Sequence, residues 1–149
     1  HPMAVGVSLN PQNVPAFAQA FSKAVGSALG EKIPERTLKI TAVLSPTEVT
    51  QEFLEEVDLL QPFGIENPIP IFALEKIRLL APAEIFGERH YRFQVSLGGA
   101  KTIWGVAWNK AGNIPPADEP IDIAFELNWN NWKGRKYLQM TLLDWKRST

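Results

Sequence analysis

The sequence predicts an α+β fold in which two helices and one or two short strands precede a small antiparallel β-barrel. Three observations support this prediction. Apolar residues recur at helical spacing in two segments before residue 61. From residue 72 onward, apolar and polar residues alternate as they do in half-buried strands. Turns that contain glycine, proline or asparagine separate the alternating runs.

The first 36 residues predict a short strand at 3–9 followed by a helix. The segment "NVPAFAQAFSKAVGSALG" begins with Asn13 as a helix cap and ends with Gly30 as a stop signal. Its apolar positions have helical spacing: Val14, Phe17, Phe21, Val25 and Leu29. The polar link "EKIPER" then marks a candidate domain boundary.

A second strand and helix are predicted after this link. Residues 37–44 alternate well enough for a strand, and Ser45, followed by Pro46 and Glu48, is typical of a helix start. An apolar stripe then continues to residue 60: Val49, Phe53, Val57 and Leu60. The acidic residues of this helix are expected to face solvent and to keep any nucleic-acid surface elsewhere: Glu52, Glu55, Glu56 and Asp58.

After the proline-rich connector "QPFGIENPIPIF", five segments are predicted to be antiparallel strands. They are "FALEKIRLL", "RHYRFQVSL", "KTIWGVAW", "IDIAFELNW" and "KYLQMTLLDW". Five short strands with a long loop between the third and fourth suit a closed barrel of the OB type. An SH3-like barrel and an open sheet are the alternatives.

Charge and aromatic residues are distributed unevenly along the chain. Residues 1–87 carry six Lys/Arg against ten Asp/Glu, whereas residues 88–149 carry nine against six. All five tryptophans and both tyrosines also follow residue 88. Cations that meet phosphates and rings that stack on bases are what a single-strand nucleic-acid surface requires. The absence of cysteine excludes disulfides and thiolate metal sites, and no apolar run is long enough for a membrane span.

The tryptophans have different expected roles. Trp104 and Trp108 share strand parity, and at least one of them is expected to pack in the core or at the barrel rim. Trp129 and Trp145 continue apolar strand faces and are expected to be structural. Trp132 lies in a polar turn, where it could stack on a base or fold back over the barrel end.

Several motifs together resemble the C-terminal part of the RecJ-type exonucleases, a family of DHH phosphoesterases. "HPMAVGVSL" resembles the continuation of the Gly-Gly-His-x-x-Ala-Ala-Gly motif of a DHHA1 domain, with Val5 where alanine is usual. "LLQPFGIENPIPIF" and "NWNNWKGRKYLQMTLLDW" resemble the segment that forms the OB domain. The resemblance implies that residues 1–36 are the end of a DHHA1-type domain and residues 37–149 an OB domain. Within the latter, residues 37–61 lead in, 62–71 connect and 72–149 form the barrel.

The resemblance also implies a function. The chain begins at His1 without a methionine, and we expect it to be part of a longer, bacterial and cytoplasmic enzyme. Such enzymes are 5′→3′ exonucleases specific for single-stranded DNA in DNA repair and recombination. They hold Mn²⁺ or Mg²⁺ in an N-terminal domain whose Asp-His-His segment this chain lacks. The chain is therefore expected to bind single-stranded DNA without catalysing its cleavage. The alternative is a module that braces the nuclease core or docks a partner such as a single-strand-binding protein.

The candidate DNA-binding residues form two groups. In OB folds, ligands lie across the second and third strands and between the loops that join strands 1–2 and 4–5. This rule nominates a strand group, His90, Arg92 and Lys101 with Trp104 or Trp108, and a hairpin group, Asn131, Trp132, Lys133, Arg135, Lys136 and Tyr137. The resemblance adds His1, which in the parent would lie near the substrate phosphates. No catalytic or metal-binding residues are expected in this chain.

Overall fold

The computed structural model describes residues 4–30 and 37–149, which fall into two compact units, His1–Thr37 and Leu38–Thr149. In the first unit a short 3-10 helix, Pro11–Asn13, leads into α1 (Val14–Leu29). The helix predicted between Asn13 and Gly30 is confirmed. The strand predicted at 3–9 is wrong for residues 4–9, which pair with no strand among the described residues.

The second unit begins with two short elements. Strand β1 (Ala42–Val43) is all that forms of the strand predicted at 37–44. A 3-10 turn, Pro46–Glu48, is followed by the separate helix α2 (Gln51–Asp58), so the single helix predicted from residue 45 is wrong. The reason is a second cap, because the Thr50 hydroxyl accepts a hydrogen bond from the Phe53 N–H at 3.1 Å.

Six further strands complete one sheet. Their bounds are β2 (Phe72–Ile77), β3 (Glu84–Phe86), β4 (His90–Gly98), β5 (Lys101–Ala107), β6 (Ile121–Trp132) and β7 (Arg135–Arg147). The five predicted strands correspond to β2, β4, β5, β6 and β7, whereas β3 was not predicted.

The sheet order is β1-β2-β6-β7-β5-β4-β3, with seven strands and mixed directions. Strand β1 is parallel to β2, and β5 is parallel to β7. The prediction of five antiparallel strands is therefore wrong in number and direction, while the OB-type arrangement is supported. Parallel neighbours need a long connection, and residues 108–134, which include β6, supply it between β5 and β7.

The barrel closes where residues 79–80, which follow β2, pair with β4. Leu79 forms an antiparallel bridge with Val95, and the Leu80 N–H donates to the Gln94 carbonyl at 2.9 Å. The apolar faces of the alternating strands are buried, among them Tyr91, Phe93 and Val95 on β4 and Ile121, Ile123 and Phe125 on β6. One apolar core therefore fills the barrel, and Leu54 of α2 belongs to it.

None of the helices in the described ranges is long and apolar enough to cross a membrane.

Candidate functional site

A groove of about 1040 Å³ lies on the outside of the barrel. One wall consists of Pro46, Thr47 and residues 49–52, which belong to the 3-10 turn and the start of α2. The opposite side consists of residues of β4, β5, β6 and β7, some of them exposed and some buried. Glu52 also lines this groove, although the acidic helix was predicted to lie away from any nucleic-acid surface.

Three exposed aromatic side chains line the groove. Trp104 is 41% exposed, Tyr137 44% and Trp132 63%. Each lies on a different strand, and the register places all three on one face of the sheet. On β7, Tyr137 lies two residues after Arg135 and two residues before Gln139. Arg135 is the register partner of Trp132 on β6, and Gln139 is the register partner of Trp104 on β5. The rings therefore follow a diagonal across β5, β7 and β6.

The cations of the groove each have a nearby carboxylate. The Arg92 guanidinium lies 5.3 Å from the centre of the Trp104 ring and 2.6 Å from the Glu84 carboxylate. Lys101 lies near Glu52, whose carboxyl pKa is lowered by its own backbone N–H, then by the Thr50 hydroxyl and by the positive charge of Lys101. The local charge of the groove is therefore close to balanced.

The residues of the hairpin group are divided between the two faces of the sheet, and only some of them face the groove. Lys133 and Gly134 form the two-residue turn with φ of 48° and 75°, the pattern of a type I′ hairpin. Strand alternation puts Trp132, Arg135 and Tyr137 on the groove face, whereas Asn131 and Lys136 pair on the opposite face. There the Lys136 ammonium lies 5.5 Å from the centre of the Trp129 ring.

His90 lies outside the groove, at the barrel rim. Its Nδ1 accepts a hydrogen bond from the Asn109 N–H at 2.9 Å. The imidazole packs against Phe86 and Trp108, with ring centres 5.4 Å and 5.0 Å apart. Trp108 is thus a rim residue, as expected of at least one of Trp104 and Trp108, although it remains half exposed. His1 lies outside the described residues.

The structural roles of two tryptophans are confirmed. Trp129 and Trp145 both pack against the core. The Trp129 indole N–H donates to the Asp58 carboxylate at 2.8 Å, and the Trp145 indole N–H donates to the Asn113 carbonyl at 3.0 Å. Asp58 therefore links α2 to the barrel and is not merely solvated, contrary to the prediction for the acidic helix face.

Two parts of the groove were not predicted from the sequence: the amide residues Asn130 and Gln139, and the wall that residues within 46–52 contribute. Asn130 and Gln139 line the groove beside the aromatic diagonal. Strand parity could have identified them, because they share a face with Trp132 and Tyr137. Residues 46–52 carried no such signal, since only the tertiary fold brings them to this face. The described residues contain no group of three or more His, Cys, Asp or Glu that could hold a metal ion.

Comparison with known proteins matches residues 40–144 to a family model described as the RecJ OB domain. The single-stranded-DNA-specific exonuclease RecJ of Bacillus subtilis is 26% identical over 148 residues, 97% of this chain and 19% of that protein. Two crystal structures of RecJ from Thermus thermophilus, in complex with Mn²⁺ and with Mg²⁺, are each 24% identical, with TM-scores of 0.68 and 0.67. They cover 91% and 90% of this chain, and 20% and 21% of their own chains. The chain thus spans about a fifth of the length of these relatives.

Proposed function

The chain belongs to the RecJ OB domain family, and on this premise we propose that its barrel binds single-stranded DNA across the groove. The observation that supports the proposal most directly is the diagonal of Trp104, Tyr137 and Trp132, three exposed rings on one face. A base that stacks on an aromatic side chain contributes about 1–3 kcal/mol to single-strand binding. Exposed rings on adjacent strands offer successive bases such contacts.

The hairpin turn supplies the phosphate contacts in this proposal. Lys133, Arg135 and Lys136 are exposed, and none of them forms an ion pair with another described residue. Lys133 at the turn and Arg135 on the groove face offer their charge to a DNA backbone that leaves the groove at its Trp132 end, whereas Lys136, on the opposite face, can meet only a strand that passes around the hairpin. Each phosphate that a cation neutralises makes single-strand affinity fall with salt, with a slope of about −0.7 on a double-logarithmic plot.

The activity of the whole protein is a further part of the proposal. We place residues 37–149 as the OB domain, and residues 1–36 as the end of a DHHA1-type domain, of a bacterial, cytoplasmic 5′→3′ exonuclease. The relative from Bacillus subtilis is named for its specificity for single-stranded DNA. In the proposed whole enzyme, metal-dependent cleavage would take place in a part of the protein other than this chain. The barrel would hold the strand and guide its 5′ end toward the cleavage site.

The aromatic contact is tested by anisotropy titration of a fluorescently labelled thymidine oligonucleotide at low salt. Trp132→Ala should raise Kd by about tenfold, which corresponds to the loss of one stacking contact. Trp108→Ala is the matched control, because Trp108 is also a half-exposed tryptophan but lies outside the groove. The proposal fails if the unaltered protein does not bind at low salt, or if the two variants lose affinity equally.

The phosphate contact is tested by the salt dependence of the same titration. Lys133→Ala/Arg135→Ala should make the slope of log Kd against log salt shallower by about 1.4, because two phosphate contacts are lost and each contributes about 0.7. Lys39→Ala/Lys110→Ala removes two cations that do not line the groove and should leave the slope unchanged. Equal slopes for the two double variants would show that the hairpin cations do not contact phosphates.

A further inference from the structure

The groove combines aromatic and amide side chains with cations whose charge is locally balanced. From this we infer that it recognises bases rather than phosphates, and that it selects single strands whose bases are unstacked, such as thymidine tracts. The inference rests on the proposed function and specifies what the groove recognises in its ligand. It is carried by three features: the balance of charge, the amides beside the rings, and the spacing of the rings.

The balance of charge comes first. Arg92 is held by Glu84 through two contacts, 2.6 Å and 2.7 Å, and its guanidinium also lies over Trp104. Lys101 has Glu52 nearby on the opposite wall. A phosphate that entered the groove would have to compete with these two carboxylates. Phosphates are therefore expected outside it, along the cations of the hairpin turn.

The amides offer the hydrogen bonds that base edges require. Gln139 is the register partner of Trp104, and Asn130 is the register partner of Tyr137. Both line the groove. An amide side chain presents a donor and an acceptor together, and a base edge can use both, whereas a phosphate oxygen can use only the donor. Each of the two rings on β5 and β7 thus has an amide beside it.

The spacing of the rings determines the conformation of the strand. Each step along the diagonal moves to the neighbouring strand and advances by two residues. The Cα atoms of consecutive aromatic residues are therefore roughly 8 Å apart. Stacked bases follow each other at about 3.4 Å per nucleotide. Neighbouring bases on neighbouring rings must therefore be separated from each other. A strand that stacks strongly on itself has to lose that stacking before it binds.

The test compares three labelled oligonucleotides of equal length and equal phosphate count on the unaltered chain. They are a thymidine tract, an adenosine tract and a thymidine tract with abasic sites at its central positions. The thymidine tract should bind tightest, the adenosine tract several-fold more weakly, and the abasic strand at least about tenfold more weakly. Because no substitution is needed, misfolding cannot confuse the result.

A variant then assigns the preference to the groove. Trp104→Ala/Trp132→Ala should reduce the difference between thymidine and abasic strands to within about twofold, whereas Trp108→Ala should preserve it. Abasic and thymidine strands that bind equally would overturn base recognition and leave the proposed DNA binding intact. Adenosine that binds as tightly as thymidine would overturn the selection for unstacked bases. No binding to any of the three would overturn both proposals.

Discussion

Gly105 of β5 is directly opposite Phe93 of β4, and its missing side chain makes room for that ring. A Cβ atom at Gly105 would lie 2.2 Å from Cζ of Phe93, and the ring is 2% exposed and cannot move outward without opening the core. Gly105→Ala should therefore lower the free energy of unfolding by about 1–3 kcal/mol, the usual effect of overpacking. Urea denaturation followed by circular dichroism measures this change.

The control for that variant is Gly112→Ala, because a Cβ at Gly112 would meet nothing within 4 Å. It should change stability by less than about 0.5 kcal/mol. Adding Phe93→Leu to Gly105→Ala should recover part of the lost stability, since leucine lacks the ring atoms that the added Cβ would meet. If Gly105→Ala and Gly112→Ala unfold alike, the packing of Phe93 against Gly105 is not tight.

Asp122 of β6 holds the bulge in β2 and the C-terminal end of the chain. Its carboxylate accepts hydrogen bonds from the Ser148 hydroxyl and from the Lys76 N–H, the latter at 3.0 Å, and Lys146 lies 3.5 Å away. These contacts, the Ser148 hydroxyl first, lower the carboxyl pKa below its ordinary value. A carboxyl whose pKa is lowered by folding stabilises the fold above its unfolded pKa, near about 4, and loses that effect as the pH falls through its folded pKa.

We therefore expect Asp122→Asn to reduce the loss of stability between about pH 5 and pH 2. Urea midpoints measured across this range should fall less steeply in Asp122→Asn than in the unaltered chain. Glu55→Gln is the matched control, because Glu55 is an exposed carboxyl of α2. It should keep the original pH dependence. Parallel pH profiles for Asp122→Asn and the unaltered chain would contradict the assignment.

Individual residues could be predicted from the sequence where strand alternation decided their direction. Tyr91, Phe93 and Met140 are buried as their alternation indicates, since on a strand the face of each residue follows from that of its neighbour. Trp132 is exposed, although it ends β6 and does not lie in the turn where the sequence placed it. The partners of Asp58 and Arg92 could not be predicted, because Trp129 and Glu84 reach them only through the tertiary fold.

At the scale of elements, the hydrogen bond between Trp129 and Asp58 joins α2 to β6, elements far apart in sequence. It is partly buried, and a hydrogen bond to a charged group contributes about 1.5–3 kcal/mol. A double-mutant cycle with Trp129→Phe and Asp58→Ala should give a coupling energy of about 1 kcal/mol or more by urea denaturation. Trp145→Phe with Asp58→Ala should be additive, because the Trp145 indole donates to Asn113 instead. Additivity in both cycles would show that the Trp129–Asp58 bond does not stabilise the fold.

The elements themselves were predictable to the extent that their signals are local. The strands that contribute alternating apolar residues to the core were located, whereas β3 was missed because all three of its residues are exposed. The start signal at Ser45 and Glu48 is real, since the Glu48 carboxylate accepts from the Ser45 N–H at 2.7 Å. It caps one turn only, because Thr50 begins the next helix. Strand direction could not be predicted, because the pairing of β5 with β7 joins segments that are remote in sequence.

At the scale of the whole molecule, the buried core belongs to one of the two compact units. Every buried apolar residue of that core lies between Leu44 and Leu142, within Leu38–Thr149. Barrel closure through Leu79 and Val95 also lies within it. The helix α1, by contrast, has no buried residue, and its apolar positions are exposed, Phe21 at 52%. A single core that is complete within one unit is what independent folding requires.

We therefore expect residues 38–149 expressed alone to unfold cooperatively at the same urea midpoint as the barrel in the whole chain. Removing residues 1–37 should also reduce self-association, because it removes the exposed stripe that includes Phe17 and Phe21. Denaturation followed by tryptophan fluorescence reports on the barrel alone, since all five tryptophans follow residue 103. Sedimentation of both chains measures association, with Phe17→Ser/Phe21→Ser in the whole chain as the control that keeps its length. A lower midpoint for residues 38–149 would show that the first unit stabilises the barrel, and the barrel would then not be an independent folding unit.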